Sequence, residues 1–291
     1  MTEAATDTAR LVLSEVRDNW RDRDTSICRA TLAAAKEAVL AGGEQEAATE
    51  IWCMEQALDT QDTFIDAFRL MKNGDFYNAW CVLEQVELTL GFLHPHLPNG
   101  WKFGLDFISD KTTAIQKLYP YKFFFSPEFL EREKKCNICD AIVSIRQGCG
   151  HVVGEVYDGK MAIRIVTKMD ILGIAAVERP LQKYSVAFLH DPDSGKPRDH
   201  YDYTLPKYLS DRLADPFHDW AAELIKVRHP HSFFEHIGKY EPCPCESGIR
   251  YKFCCFKEAG VLRPHWQFTW AVQPPTHLRH VVFTGYDNEN S

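Results

Sequence analysis

The sequence predicts an α+β protein: an N-terminal helical bundle, then a β-hairpin domain, then a small C-terminal module, the last two each built round a cysteine cluster. Three observations carry this. Between Thr8 and Phe92 there is no proline, and the four glycines, Gly42, Gly43, Gly74 and Gly91, fall where helices would stop. From Cys136 onward the pattern turns to short β-like runs, with Asp158-Gly159, a pair suited to a type I′ turn, between two of them. Seven of the ten cysteines gather in two groups, Cys136/Cys139/Cys149 and Cys243/Cys245/Cys254/Cys255, while Cys28, Cys53 and Cys81 stand alone and read as core residues.

Helices are expected over 8–21, 26–40, 44–58, 62–72 and 76–90, on the apolar spacing of Ile51, Met54 and Leu58 and of Trp80, Leu83, Val86 and Leu90. Asn73-Gly74-Asp75 joins the last two as a helical hairpin, with Gly74 ending one helix and Asp75 capping the next. The run from His94 to Gly100 holds two prolines and marks a linker or corner, and its two histidines read as surface turn residues. The aromatic-rich stretch 101–130 suits core or a seam, with a helix over 111–118 followed by an extended or irregular piece. Strands are expected over 151–157, 160–167, 170–178 and 183–189, a helix over 216–227 with Asp215 as N-cap, and strands over 265–272 and 278–286. The divisions expected are a helical domain 1–98, a connecting segment 99–135, a ribbon-like β domain 136–214, and 215–291 carrying a helix, the C-terminal module and final strands.

With 291 residues, 45% apolar and 25% charged, the chain is too apolar for disorder and long enough to bury a core without disulfides. The longest apolar run, seven residues from Ile171 to Val177, is far short of the roughly 20 that span a bilayer. The polar, acidic start does not resemble a secretory leader, so a cytoplasmic, thiol-reducing setting without membrane insertion is expected. Residues 1–100 hold 17 acidic and 8 basic side chains, the remainder 24 and 25. Nucleic-acid binding, which draws its affinity from Lys and Arg on phosphates, is therefore not favoured.

In a reducing compartment clustered thiols read as metal ligands before disulfides. The second group runs Cys243-Pro244-Cys245, Ser247-Gly248, Tyr251-Lys252, Cys254-Cys255. Pro244 stiffens the first pair, Ser247-Gly248 turns the chain back, and a helical turn presents the second pair, so four sulfurs can meet around one tetrahedral Zn²⁺. This Cys-x-Cys-x8-Cys-Cys order resembles the SEC-C motif that ends the translocation ATPase SecA and occurs in YecA-like and other bacterial proteins. The resemblance covers about residues 240–257. It implies zinc, or iron in some members, on Cys243, Cys245, Cys254 and Cys255, and docking to protein partners such as a chaperone or the ribosome. Glu246 and Ile249 stand where the family usually has glycine and lysine, but Arg250, Lys252 and Lys257 keep the surface basic and are the candidate partner-binding residues. No P-loop motor accompanies the motif.

The first group, Cys136-x2-Cys139 followed by Cys149-x-His151, makes a Cys₃His zinc set, with the hairpin after it as the anchored ribbon. Together with Gly154, Tyr157, Gly159 and Lys160 it is similar to a segment of bacterial SEC-C-containing and phage-associated proteins. The alternatives are reduced structural cysteines or a redox pair, although a redox Cys-x2-Cys belongs at a strand–helix junction that the segment after Cys139 does not offer. Both sets supply four protein ligands, leaving no open coordination position for catalysis.

No Gly-x-Ser-x-Gly, His-Glu-x-x-His or Gly-x-Gly-x-x-Gly occurs. Arg146 and His151 match the Arg-x4-His of HEPN-type ribonucleases, but inside the first cluster rather than on a bundle helix. Asp191, Asp193, Asp199, His200 and Asp202 sit in a turn-rich loop where solvated turn residues are the plain reading. The expectation is a zinc-binding bacterial adaptor with two zinc sites and no catalytic residues. Its expected partner is a protein such as a ribosomal, chaperone or defence-system component. The alternative is a nuclease or hydrolase effector or accessory protein of a mobile or anti-phage system.

Overall fold

A computed structural model describes residues 2–97 and 102–275, so the strand expected over 278–286 lies outside the described residues. The architecture is mixed helix and sheet, and the chain divides into two compact units after Asp211. No helix among the described residues is long and apolar enough to cross a membrane.

The first unit begins with α1 (Thr2–Ser14), a short α2 (Val16–Asn19), α3 (Ser26–Ala41), α4 (Gln45–Lys72), α5 (Phe76–Leu93) and α6 (Leu105–Gln116). The two helices expected over 44–58 and 62–72 are one continuous α4. Nothing in residues 59–61 breaks a helix: Thr60 and Gln61 are fully buried, and Asp59 and the adjoining Asp62 find basic partners. Asp62 takes Arg23 Nε and Arg29 Nη2, each at 2.8 Å, and Asp59 pairs with Arg29. Burial works against the Asp62 carboxylate, but hydrogen bonds from Arg29, Arg23 and Thr25 outweigh it and lower its pKa. The expected helix over 8–21 is replaced by α1 and α2, and that over 111–118 starts six residues earlier.

The α4–α5 corner forms as the sequence expects. Gly74 takes a left-handed φ of 78°, and the bonds Asp75 N to Leu70 O (2.9 Å) and Gly74 N to Met71 O (3.1 Å) complete a Schellman motif. Asp75 holds the N-cap position, yet its carboxylate accepts from Asn78 Nδ2 rather than from a backbone N–H. Packing of Ile51, Leu58, Phe64, Ile65, Leu83 and Val86, all at most 2% exposed, forms the bundle core.

The rest of this unit holds β1 (Phe124–Cys136), β2 (Ile142–Val143), β3 (Val156–Tyr157), β4 (Lys160–Met161), β5 (Arg164–Val177), β6 (Leu189–His190), β7 (Pro197–Arg198) and α7 (Thr204–Arg212). The long antiparallel pair β1–β5, with β2 on the far edge of β1, is the main sheet. The hairpin expected over 151–167 shrinks to β3 and β4, two residues each, around Asp158 (φ 49°) and Gly159 (φ 64°). Of the strand expected over 183–189 only a bridge of Val186 to Phe124 and the first residue of β6 remain, because α5 side chains capture the backbone at 183–184. Glu84 accepts from the N–H groups of Lys183 (2.5 Å) and Tyr184 (2.9 Å), and Trp80 Nε1 donates to Lys183 O (2.7 Å).

In the second unit β8 (Trp220–His229) pairs along its whole length with β9 (Val261–Trp270). The helix expected over 216–227 is therefore wrong. Ala221-Ala222-Glu223-Leu224 favours helix locally, but ten cross-strand pairs and the stacked Trp220–Phe268 rings (6.3 Å) outweigh local propensity. Asp215 binds Phe217 N at 2.8 Å in a turn instead of capping a helix.

The ladder ends at the His229–Val261 pair, and residues 230–260 loop out between the two strands. Gly260 closes that loop with φ 156°, where an added Cβ would lie 2.4 Å from His229 O. Gly260→Ala is expected to destabilise this unit by about 2–3 kcal/mol, since backbone must shift to admit the methyl. Thermal unfolding of the variant checks it, and an unchanged midpoint would show that the close approach is not required.

Candidate metal centres

Cys136 ends β1 and turns at once into a tight knuckle. Asp140 N donates to Cys136 O (2.9 Å), Cys136 N to Ala141 O (3.0 Å), and Ile138 N to Cys136 Sγ (3.4 Å). Asp140 reaches the left-handed region at φ 55°, steadied by Lys135 Nζ at 2.7 Å. Asn137, which the sequence reading passed over, fastens this knuckle. Its Nδ2 donates to Met161 O (2.9 Å) and its Oδ1 accepts from Ile163 N (2.8 Å), mimicking a strand pair with the chain entering β5. An Asn directly after the first thiol of Cys-x2-Cys was the available signal.

On the other side, Gly150 (φ 87°) lets the chain fold back so that His151 faces the thiols. His151 Nδ1 lies 3.7 Å from both Cys136 Sγ and Cys149 Sγ, and the ring is held edge-on against Tyr157 at 4.7 Å. The ligand atoms of Cys136, Cys139, Cys149 and His151 all lie within 4.8 Å of one another.

The second set is assembled by a comparable device within a small core of its own. Cys243 N donates to Ile249 O and Tyr251 N to Glu241 O, both at 2.8 Å, so the Ser247-Gly248 turn folds the strand-like arm back. A 3₁₀ turn at Tyr251–Phe253 then delivers Cys254 and Cys255. Cys245 and Cys254 sulfurs stand 3.5 Å apart, Cys254 and Cys255 3.9 Å, and all four sulfurs lie within 4.8 Å of one another. Sulfurs on a tetrahedral ion at about 2.3 Å would be roughly 3.8 Å apart, whereas a disulfide needs about 2.05 Å. All ten cysteines are free thiols, so both clusters could hold metal ions.

The electrostatics fit a cation. At Cys136 burial opposes ionisation, but N–H groups of Ile138 and Cys139 and the neighbouring thiols outweigh it and bring the thiol down to about 6. Cys245 likewise falls to about 6 against its burial, through Ser247 and the adjoining thiols. Burial pushes Cys243 up to about 12. Within each set one thiolate is favoured while a neighbouring thiol is raised, Cys139 in the first set and Cys243 and Cys255 in the second, an opposition a divalent cation relieves by taking several thiolates at once. The isolated Cys53 instead rises to about 11 through burial and Glu50.

Cys243, Cys255, Tyr251, Phe234 and Val261 form the hydrophobic cluster of the second set, so two of its candidate ligands are also core residues. Glu246 adopts φ 63°, a region that favours glycine, and is held there by Arg263, whose Nη1 donates to Glu246 Oε1 (2.5 Å) and Pro244 O (2.7 Å). Arg263, 4% exposed, was not legible as a site residue because it lies on β9, outside the motif. Lys252 lies 5.0 Å from the Tyr240 ring and 5.8 Å from that of Phe253, and Lys257 lies 5.9 Å from Phe253. Arg250 is exposed beside them in the chain. Tyr240, Phe253 and Phe256 are each more than half exposed.

The other sequence signals come to less. Arg146 sits in an exposed turn over 144–147 closed by Gln147 N to Ser144 O (3.2 Å), while His151 faces thiols. Asp191, Asp199 and Asp202 accept local backbone N–H groups of Ser194, Tyr201 and Thr204, as turn residues do. His96 Nε2 lies 2.8 Å from Gly154 O, a structural tie.

No protein-family model, curated protein or solved structure matches the chain.

Proposed function

We propose that this protein is a zinc-binding adaptor whose two metal centres are structural and whose SEC-C-like module docks a protein partner. The observation that supports it is the approach of two complete four-ligand sets, Cys₃His and Cys₄, to within tetrahedral reach. With four protein ligands each, the sites leave no position for a metal-bound water, so zinc orders the knuckles rather than performing chemistry. Thiolate ligation requires a reducing compartment, which favours the cytoplasm. Arg250, Lys252 and Lys257, next to exposed Tyr240, Phe253 and Phe256, are the surface offered to a partner such as a ribosomal, chaperone or defence-system component. Iron in the Cys₄ site is the variant of this reading that elemental analysis separates.

The test combines metal content with capture. Purified protein should carry two zinc equivalents by mass spectrometry. An Arg250→Glu/Lys252→Glu/Lys257→Glu variant should keep both while losing a defined partner that wild-type protein retains from lysate. Zero metal in the wild type sinks the framework, and metal-loaded protein that cleaves RNA, DNA or peptide by itself overturns the adaptor role.

A further inference from the structure

The β1–β5 ribbon carries an apolar face that no described residue covers. Register pairs Phe125 with Ala176 and Pro127 with Ile174 and, past a bulge that leaves Leu172 unpaired, Phe129 with Ile171 and Glu131 with Met169; alternation along β1 puts these pairs on one side. Phe125, Phe129, Met169, Ile171 and Ile174 are 47%, 40%, 57%, 70% and 70% exposed.

β5 is also an edge strand, and its residues 171–177 carry neither charge nor proline. Edges and faces of this kind are normally blunted by charges. Of the charges beside the stretch, Asp170 is engaged with Arg132 at 2.6 Å and Lys168 with Glu133 at 2.7 Å, both within the ribbon, while Glu178 and Arg179 bound it on the other side.

Monomeric soluble proteins rarely expose contiguous apolar patches beyond a few hundred Å². The five side chains with Pro127 and Ala176 expose on the order of 600 Å², close to the roughly 800 Å² each partner contributes to a standard interface.

We propose that a second copy of this chain covers this face, the two ribbons packing face to face about a two-fold axis. A two-fold sets a patch opposite itself, so a face whose one charged member, Glu131, lies at its end and is paired with Lys134 is otherwise complementary to its own copy. A foreign partner would be selected by hydrogen bonds or charge, and from Phe125 to Phe129 this face offers neither. Interfaces between copies are accordingly the more apolar class.

Light scattering and sedimentation on the full metal-loaded chain test this. Wild type at tens of micromolar is expected at twice 33.4 kDa. Ile171→Asp/Ile174→Asp is expected to run at 33.4 kDa, its dissociation constant raised about a hundredfold or more. Leu130→Asp, on the opposite face beside Asp170, is expected to remain dimeric. Should the double variant misfold by circular dichroism, Met169→Lys tests the same face with one exposed position. A wild type that stays monomeric, a dimer unaffected by the face substitutions, or dissociation by Leu130→Asp to the same degree would each overturn the proposal.

Discussion

Cys254→Ser/Cys255→Ser is expected to lower the metal content from two zinc equivalents to one and to unfold residues 230–260, while the helical unit keeps its structure. The reason lies in how small the module's own core is. Phe234, Tyr251 and Val261 are packed with Cys243 and Cys255 themselves, so removing ligands removes core as well as metal. Zinc bound to a small module supplies on the order of 10 kcal/mol of folding free energy, more than three apolar side chains at about 2–3 kcal/mol each can replace. Elemental analysis should read one zinc. Limited proteolysis should cut within 230–260 at least tenfold faster than in wild type, with cleavage of 2–97 unchanged. Two retained equivalents would exclude these cysteines as ligands. One equivalent with a protected module would show that packing alone holds it.

The second large effect is expected at the first cluster. Cys136→Ser should also leave one zinc equivalent, this time the one bound by the Cys₄ set, and should fray the end of the main sheet. Cys136 is both a candidate ligand and the last residue of β1, paired with Arg164 at the start of β5. It is fully buried and is the residue toward which His151 and the knuckle N–H groups converge. Amide exchange at 134–136 and 164–166 should accelerate by about a hundredfold or more, equivalent to roughly 3 kcal/mol of lost local stability, while exchange at the Phe124 end stays slow. Asn137→Ala separates packing from ligation. It removes the clamp on Met161 and Ile163 but no ligand, so zinc should bind about 10–100-fold more weakly without being lost. Equal exchange at both ends of the ribbon in Cys136→Ser would show that the cluster does not anchor the sheet.

Much of the local chemistry was readable from residues close in sequence. Gly74 stops α4 because only a left-handed residue completes the Schellman bonds, and Asp158-Gly159 turns β3 into β4 for the same steric reason. Both candidate ligand sets follow from short spacings, and the structure brings all eight named residues into two groups that could each hold a metal ion. Glu246 illustrates the limit. The pattern this loop resembles usually has glycine where this chain has glutamate, and the left-handed φ there is held by Arg263, seventeen positions along and buried on β9.

The errors share one cause. Residues 216–227 have helical composition, yet form no helix, and 183–189 have strand composition, yet keep only a bridge at Val186 and the first residue of β6. Local preference amounts to tenths of a kcal/mol per residue. The partners that override it are distant in the chain: β9 for the first segment, and Glu84 and Trp80 on α5 for the second.

By itself the sequence determined the features whose physics is short-range: helix stops, the type I′ turn, and thiols and imidazole spaced so that one ion can reach them. Only the tertiary structure decided which segments pair. It joined 220–229 to 261–270 across the cysteine loop, merged two expected helices into α4, and left one face of the β1–β5 ribbon uncovered by any described residue. Those outcomes depend on free energy gained between residues far apart in the chain, which exceeds local propensity and leaves no trace in residue spacing.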